Sequence, residues 1–424
     1  MTAARYLCLA VPAGLVLLCG HLERDRRSRT AALLAFIAAA VGLAVLNEAA
    51  RWYSFAPVHG TFRGMPIDLW LAWAALWGAV PVLSRRLLPV PVALGLLLWL
   101  DAVAMPALHP LVRLEPGWLL GEAIGLLGVA LPAQLLGRWT AERRHLTARV
   151  VLQVAVFATL LLWLLPTAAF ESGNGSWAAL AALPLPGLIV LAQVGLLLAL
   201  PAVLAVREFA VRGGGTPYPW DPPERLVTTG PYAYLANPMQ VSASCLLGLV
   251  AGATRSAVLG LVAIAAVAFG IGVARPHENH AMHARFGALW RGYRREVRDW
   301  RPRWTPYRPG RPAVLWLDLG CVECRAVGRF LGERRAFDLT VTAARDHRTP
   351  LWRARYAGVD GHQERGVAAV ARGLEHIHLG WAYVGWFLRC PGLAGLAQLV
   401  VDAAIAPRRP AGREPMWWSR FPGW

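Results

Sequence analysis

The sequence predicts an all-α polytopic membrane protein, with about seven spans plus a helical hairpin, that ends in an α/β domain. Three observations carry this. Of 424 residues, 56% are hydrophobic and only 16% are charged, against about a quarter charged in soluble domains. Apolar runs recur at close to the ~20 residues needed to cross ~30 Å of hydrocarbon. Beyond residue 310 the apolar density falls, and strand-like and helix-like pieces alternate.

The runs lie near 5–20, 31–48, 67–84, 88–105, 118–137, 148–168 and 178–206. The first resembles a signal peptide, but the apolar runs that follow at once make it a first span. A further block, 240–274, is too long for one span and is broken near 252–256 (GATRS), which predicts a helical hairpin. The connectors at 21–29, 85–86 and 138–149 hold ten Arg, and the alternate connectors at 49–66, 106–117 and 169–177 hold three. The positive-inside rule therefore places the first set in the cytoplasm. Counting onward puts the loop 207–239 and everything after the hairpin on the same side, in what reads as a bacterial inner membrane. Three regions result: a bundle at 1–206, a hairpin region at 207–309 and an α/β region at 310–424. No fixed-period repeat is present.

The formal charge is +18, and all 43 basic residues are Arg. They cluster between apolar runs, where topology accounts for them, so no nucleic-acid partner is expected. In the bundle, Glu48, Asp101, Glu122 and Asp68 are the polar residues of interest, since a carboxylate within the membrane is a functional suspect. Each lies close to the end of a run, which predicts interfacial placement.

The stretch LVTTGPYAYLANPMQ, 226–240, does not belong to a span. Gly230 before Pro231 makes a tight turn, and Tyr232 and Tyr234 are expected on one side of it. Asn237 reads as a helix N-cap, with Pro238 at the first helical position. After the hairpin, 275–304 reads as an amphipathic helix with Glu278 near its membrane end. On residues alone, the tyrosines could equally be interface aromatics and Glu278 a surface charge. His277, His280 and His283 fall at helical spacing and read as a polar face rather than a metal site; no metal is expected.

Loop, hairpin and tail together resemble the isoprenylcysteine carboxyl methyltransferase and phospholipid methyltransferase group of membrane enzymes. The loop matches at Leu226, Val227, Thr228, Gly230, Pro231, Tyr232, Tyr234, Asn237, Pro238 and Met239, and the tail at Glu278, Phe286, Gly287, Tyr293, Val297, Trp300 and Pro302. The chain departs from the pattern at Asn279, where the family has a second Glu, at Gln240, often Tyr, and at Trp290, the first tail Tyr. The resemblance implies that Gly230, Pro231, Tyr232, Tyr234, Asn237, Pro238, Met239 and Glu278 hold S-adenosylmethionine at the cytoplasmic face. It also implies a lipidic, prenylated or otherwise membrane-embedded acceptor that enters from the bilayer. Tyrosine faces suit the sulfonium, free N–H groups at the helix start suit the carboxylate, and Glu278 suits the ammonium or ribose.

In the last region, AVLWLDLGCVECRAVGRFLGERRAFDLTV reads as strand, C-x-x-C turn, helix and strand. Cys321 at a helix N-terminus would be the nucleophilic thiol and Cys324 the resolving one. Asp360-Gly361 reads as a hairpin turn. Asp318, Cys321 and Cys324, with the later hairpin, helix and Pro-Gly tail, resemble the DCC thiol-disulfide oxidoreductase family. That resemblance implies a thioredoxin-like domain and a thiol redox partner. A zinc site with His376 or His378, or a C-x-x-C that only packs, are the alternatives. The sequence thus points to a membrane methyltransferase with an appended thiol module. The competing readings are a membrane-anchored thiol-disulfide oxidoreductase on a degenerate scaffold, and a transporter or lipid-binding scaffold without chemistry.

Overall fold

The structure is a computed structural model and describes residues 2–405, apart from 51 and 309. It is mostly helical. The first part runs α1 (Thr2–Leu22), α2 (Arg26–Ala49), β1 (Tyr53–Phe55), β2 (Thr61–Phe62), β3 (Met65–Pro66), α3 (Ile67–Leu83), α4 (Val90–Ala107), β4 (Val112–Leu114), α5 (Trp118–Glu142), α6 (Leu146–Ser172), α7 (Trp177–Ala181) and α8 (Leu185–Gly213). The hairpin is α9 (Pro238–Thr254) and α10 (Ala257–Glu296). Then come β5 (Ala313–Leu317), α11 (Val322–Glu333), β6 (Leu339–Ala343), β7 (Arg355–Ala357), β8 (Gln363–Arg365), α12 (Val367–Leu374), α13 (Leu379–Leu388) and α14 (Leu393–Ala404).

Among the described residues, seven helices are long and apolar enough to cross a membrane: α1 from Arg5, α2, α4, α5, α6, α8 and α10. Six of these are runs read from the sequence. The run at 67–84 forms α3, a shorter apolar helix, about 25 Å long at 1.5 Å per residue. The seventh is α10, and here the expectation of a separate amphipathic tail helix is corrected. The second hairpin arm continues into that tail as one helix, bent at Gly287 (φ 51°, ψ −117°) and ending at Glu296.

What lets α10 run on also recurs in α3, α5 and α6. Each contains a five-residue π-helical stretch: Ala75–Ala79, Leu126–Ala130, Leu160–Leu164 and Gly270–Ala274. Each stretch ends two residues before a proline, at Pro81, Pro132, Pro166 and Pro276. A proline inside a helix lacks an N–H and its ring collides with the carbonyl four residues back. A widened turn takes that carbonyl out of the way, so the helix survives the proline.

The residues form two compact units. The first comprises Met1–Leu191, Gly213–Arg225 and Leu246–Ala268; the second comprises Ala192–Arg212, Leu226–Cys245 and the chain from Phe269. In the first unit α2 is central. A Cβ on Gly78 would come within 2.4 Å of the Ala35 carbonyl, and one on Gly137 within 2.9 Å of the Ala35 side chain, so α3 and α5 approach α2 through glycine. The Arg-rich connectors gather at one end. Arg85 pairs with Glu23 at 2.9 Å and donates to the Ser28 hydroxyl at 2.6 Å. Arg27 pairs with Asp221 at 2.5 Å, and Arg149 pairs with the same carboxylate. Arg143 reaches Glu224 at 3.4 Å. Away from these connectors, Arg5 pairs with Asp68, Arg63 with Glu48, and β1 pairs antiparallel with β4. At the hairpin turn, Arg255 adopts φ 53° and Ser256 N–H closes on the Ala251 carbonyl at 2.9 Å.

The second unit holds the sheet. Its order is β6-β5-β7-β8, with β5 and β6 parallel across α11, and β7 antiparallel to both β5 and β8. Ala313, Leu315 and Leu317 alternate into its core with Leu331, Tyr356 and Ala369. Gly361 at φ 78° closes the β7–β8 turn where Asp360-Gly361 predicts it.

Candidate functional site

The loop 226–240 is a rigid, backbone-tied structure in the second unit. Gly230 takes φ 62°, and a Cβ there would come within 2.7 Å of Glu208, so glycine is required twice over. Pro231 opens a short 3-10 turn, and its carbonyl accepts the Tyr234 and Leu235 amides. The segment after α10 then clasps the loop. The Ala236 amide donates to the Arg298 carbonyl at 3.0 Å, the Arg303 amide to Tyr234 at 2.9 Å and the Tyr307 amide to Ala233 at 2.8 Å. The Tyr293 hydroxyl donates to the Tyr232 carbonyl at 2.8 Å.

Asn237 lies where the sequence places it, immediately before α9, with Pro238 as the first helical residue. Its side-chain amide does something the sequence reading did not foresee. It donates to Asp299 Oδ1 at 2.8 Å and lies within hydrogen-bonding reach of Glu278. The amide thus ties the loop to Asp299, with Glu278 alongside. Asp299 is buried and is also held by Arg294 at 2.5 Å and Arg275 at 3.3 Å. Arg294 in turn covers the Trp290 ring. Beside this cluster, the Tyr232 hydroxyl and Gln240 Oε1 are buried and take no hydrogen bond among the described residues. Gly270 brings the backbone up to Trp300 and Gln240: a Cβ would meet them at 2.8 and 3.1 Å.

The expectation that Tyr232 and Tyr234 share one side of the turn is corrected. The Tyr232 ring packs with Ala205, Val227 and Met239, and its face is covered by Phe209 at 5.9 Å. What Tyr232 offers is its hydroxyl, whose pKa burial pushes up, aided by Tyr293 and Glu278. Tyr234 points elsewhere. It meets Trp386 edge-on at 5.7 Å and donates to the Glu375 carbonyl at 2.9 Å, joining the loop to the α/β domain. The two rings part because adjacent apolar clusters compete for them.

That junction is reinforced by charge. Glu208, on α8, accepts from Arg372, from Arg389 at 2.6 Å and from the Thr229 hydroxyl at 2.9 Å. Arg372 and Arg389 also hold Glu375, at 2.9 and 2.5 Å. Glu208 escaped the sequence reading because it lies at the end of an apolar run and has no local partner motif.

No family model, curated protein or solved structure matches the chain.

The second candidate site follows β5. Asp318 caps the turn, accepting from Gly320 N–H at 2.9 Å through its side chain and from Cys321 N–H at 3.0 Å through its carbonyl. Cys321 is buried at the N-cap of α11, and its thiol donates to Glu323 at 2.8 Å. Cys324 sits one turn on, within hydrogen-bonding reach of Cys321, and both thiols are free. Burial and the neighbouring Cys321 push the Cys324 thiol up to about 11. Neither histidine joins them. His376 uses one ring nitrogen on the Tyr356 hydroxyl at 2.9 Å and the other on the Phe337 carbonyl at 2.7 Å. His378 stacks on Trp304. Among the described residues, no group of three His, Cys, Asp or Glu is placed to hold a metal ion.

In the first unit, Glu48 and Asp68 are held by Arg63 and Arg5, while Asp101 and Glu122 are buried inside the unit, at 4% and 1% exposed. Asp101 falls in the buried stripe Ala93, Leu97, Asp101, Met105, at a strict four-residue spacing that a count from the run's end ignores.

Proposed function

We propose that the protein is an integral-membrane S-adenosylmethionine-dependent methyltransferase acting on a lipidic or membrane-delivered acceptor. The observation that carries this reading is the Asn237–Asp299 hydrogen bond, with Glu278 alongside, near two unpartnered buried polar atoms, the Tyr232 hydroxyl and Gln240 Oε1. The residues present fit the cofactor. Glu278 and Asp299 are acceptors for its ammonium and ribose hydroxyls, Arg275 and Arg294 are donors for its carboxylate, and the orphaned atoms await a partner. Asp299 offers the second carboxyl that the Glu278-Asn279 pair lacks, from a different part of the tail. Bound S-adenosylmethionine supplies an electrophilic methyl group. The chain's part is to align it with the acceptor and to exclude water, which is most of what methyl transfer requires. The resemblance at 226–240 and 278–302 to isoprenylcysteine carboxyl methyltransferase-like enzymes points the same way. The ten Arg gathered in one set of connectors favour a cytoplasmic site in a bacterial inner membrane.

The appended domain supports a second activity on a specific observation. Its sheet order, with parallel β5 and β6 flanking a helix that starts at C-x-x-C, favours a thioredoxin-like reading, and the resemblance to the DCC family adds a thiol redox partner to that reading. Cys321 at the helix N-cap would attack and Cys324, held protonated, would resolve.

The test is S-adenosylmethionine binding to the purified chain, wild type beside Glu278→Ala and Asp299→Asn. Binding that both substitutions abolish is expected. No binding by folded wild-type protein in lipid would sink the reading and leave Cys321 and Cys324 as the active part.

A further inference from the structure

The first unit contains a small, partly open cavity that the methyltransferase reading does not use. Five aromatic side chains line it: Trp52, Tyr53, Phe55, Trp73 and Trp77. The fold puts them there for identifiable reasons. Tyr53 and Phe55 are two apart on β1 and so face the same way. Trp52 and Trp77 lie against α5 at glycines: a Cβ on Gly121 would meet the Trp52 ring at 2.4 Å, and one on Gly125 the Trp77 ring at 2.9 Å.

At the base stands the carboxyl pair. Glu122 lines the cavity and Asp101 lies within hydrogen-bonding reach of it. The Tyr53 hydroxyl donates to Glu122 Oε2 at 2.6 Å and the Trp77 indole to Asp101 at 3.3 Å. Glu122 Oε1 takes no hydrogen bond from any amide, indole or hydroxyl among the described residues. Every donor to the pair is neutral: among the described residues no Arg or His forms an ion pair with either carboxyl, although other buried carboxylates in the chain are held by guanidinium groups. Buried charge is ordinarily paired. Here the two carboxyls lie against each other and against neutral donors, and the wall beside Glu122 is aromatic ring.

We infer that this cavity binds an organic cation, a quaternary ammonium or protonated amine, with Glu122 as its counter-ion and the rings of Trp52, Trp73 and Trp77 as its walls. Aromatic faces attract such cations, most strongly where water is excluded. A bare metal ion does not suit a site whose walls are carbon. The apolar side chains of Leu46 and Met105 continue the cavity and suit a ligand with an apolar body. The cation could arrive as a lipid headgroup or free in solution.

The experiment uses the full chain in phosphatidylglycerol nanodiscs, titrated by calorimetry with choline and with its neutral isostere 3,3-dimethylbutanol. Choline is expected to bind saturably and about ten-fold more tightly than the isostere. Glu122→Gln is expected to remove that preference while leaving the isostere unchanged. Adding phosphatidylcholine to the nanodisc competes with choline if the source is a headgroup, and leaves the titration unchanged if it is a free cation. Equal binding of choline and isostere by wild type, no saturable choline binding, or a Glu122→Gln protein that keeps the wild-type preference overturns the inference.

Discussion

Glu208→Gln would remove one charge from the centre of the network that fastens the α/β domain to α8. Inside that network, Arg212, Arg372 and Arg389 face the buried carboxyls of Glu208, Glu364 and Glu375. Both Glu208 oxygens are used: Oε1 by Arg372 and Arg389, Oε2 by Arg212 at 2.9 Å and Thr229 at 2.9 Å. Glutamine keeps one acceptor oxygen and turns two N–H donors toward groups that are themselves donors. A guanidinium is left uncompensated where water does not reach. Breaking a buried pair in this way costs about 3–5 kcal/mol, a large part of the ~5–15 kcal/mol that holds a domain folded. At about 2–4 °C per kcal/mol for a unit of this size, the midpoint should fall by about 6–20 °C. The assay is thermal unfolding in nanodiscs followed by tryptophan fluorescence. Glu48→Gln serves as control, since its pair with Arg63 is about 40% exposed on both sides and should be worth less than ~1 kcal/mol. A Glu208→Gln midpoint that matches the control would refute the idea that this network carries the junction.

Gly230→Ala should destabilise the loop by about 1–3 kcal/mol, because alanine must take φ 62° and meet Glu208 at 2.7 Å; weaker S-adenosylmethionine binding in parallel would be the readout. Iodoacetamide labelling of Cys324 should stay slow at pH 7–8 and rise steeply toward pH 11, since the thiolate is the reactive form; rapid labelling at pH 7, read by mass spectrometry, would contradict it. Burial alone would raise the Glu364 pKa, but the hydrogen bond from His362 and the charges of Arg389, Arg207 and Arg372 outweigh it and hold the carboxyl below the usual range. Its contribution to stability is therefore complete above the ordinary glutamate pKa of ~4.3 and is lost as pH falls below that. Acid unfolding of wild type beside Glu364→Gln should show a shallower slope in the variant. Asp25→Ala should cost about 1–2 kcal/mol in unfolding measurements, because Asp25 caps α2 by accepting the Arg27 and Ser28 amides at 3.1 Å.

Local chemistry made much of this legible. The apolar runs became helices, the Arg-rich connectors gathered, and Asn237-Pro238, Asp360-Gly361 and C-x-x-C took the positions that capping and turn preferences dictate. What was not legible depended on groups distant in sequence. Asp299 is an unremarked acid in V-R-D-W until Asn237 meets it across 62 positions. Tyr234 looks like a partner of Tyr232 until Trp386 claims it. That Asp101 and Glu122 turn inward follows from helical phase, which the position of each in its apolar run does not reveal. The segment from residue 275 looked like a separate helix because its composition changes there; the π-helical turn before Pro276 lets the hairpin arm run through.

The Tyr234 junction bears on how the chain can be divided. Contacts of the loop cross the boundary drawn near residue 310 from composition. A chain ending there would strand the Tyr234 hydroxyl without the Glu375 carbonyl, strip Trp386 from its ring and leave Glu208 without Arg372 and Arg389. Thr229 and Gly230 rest on that same glutamate. Recombination that swapped or deleted the last hundred residues would therefore reach the loop, however far it lay from the join. The appended domain is part of what holds the loop in its shape.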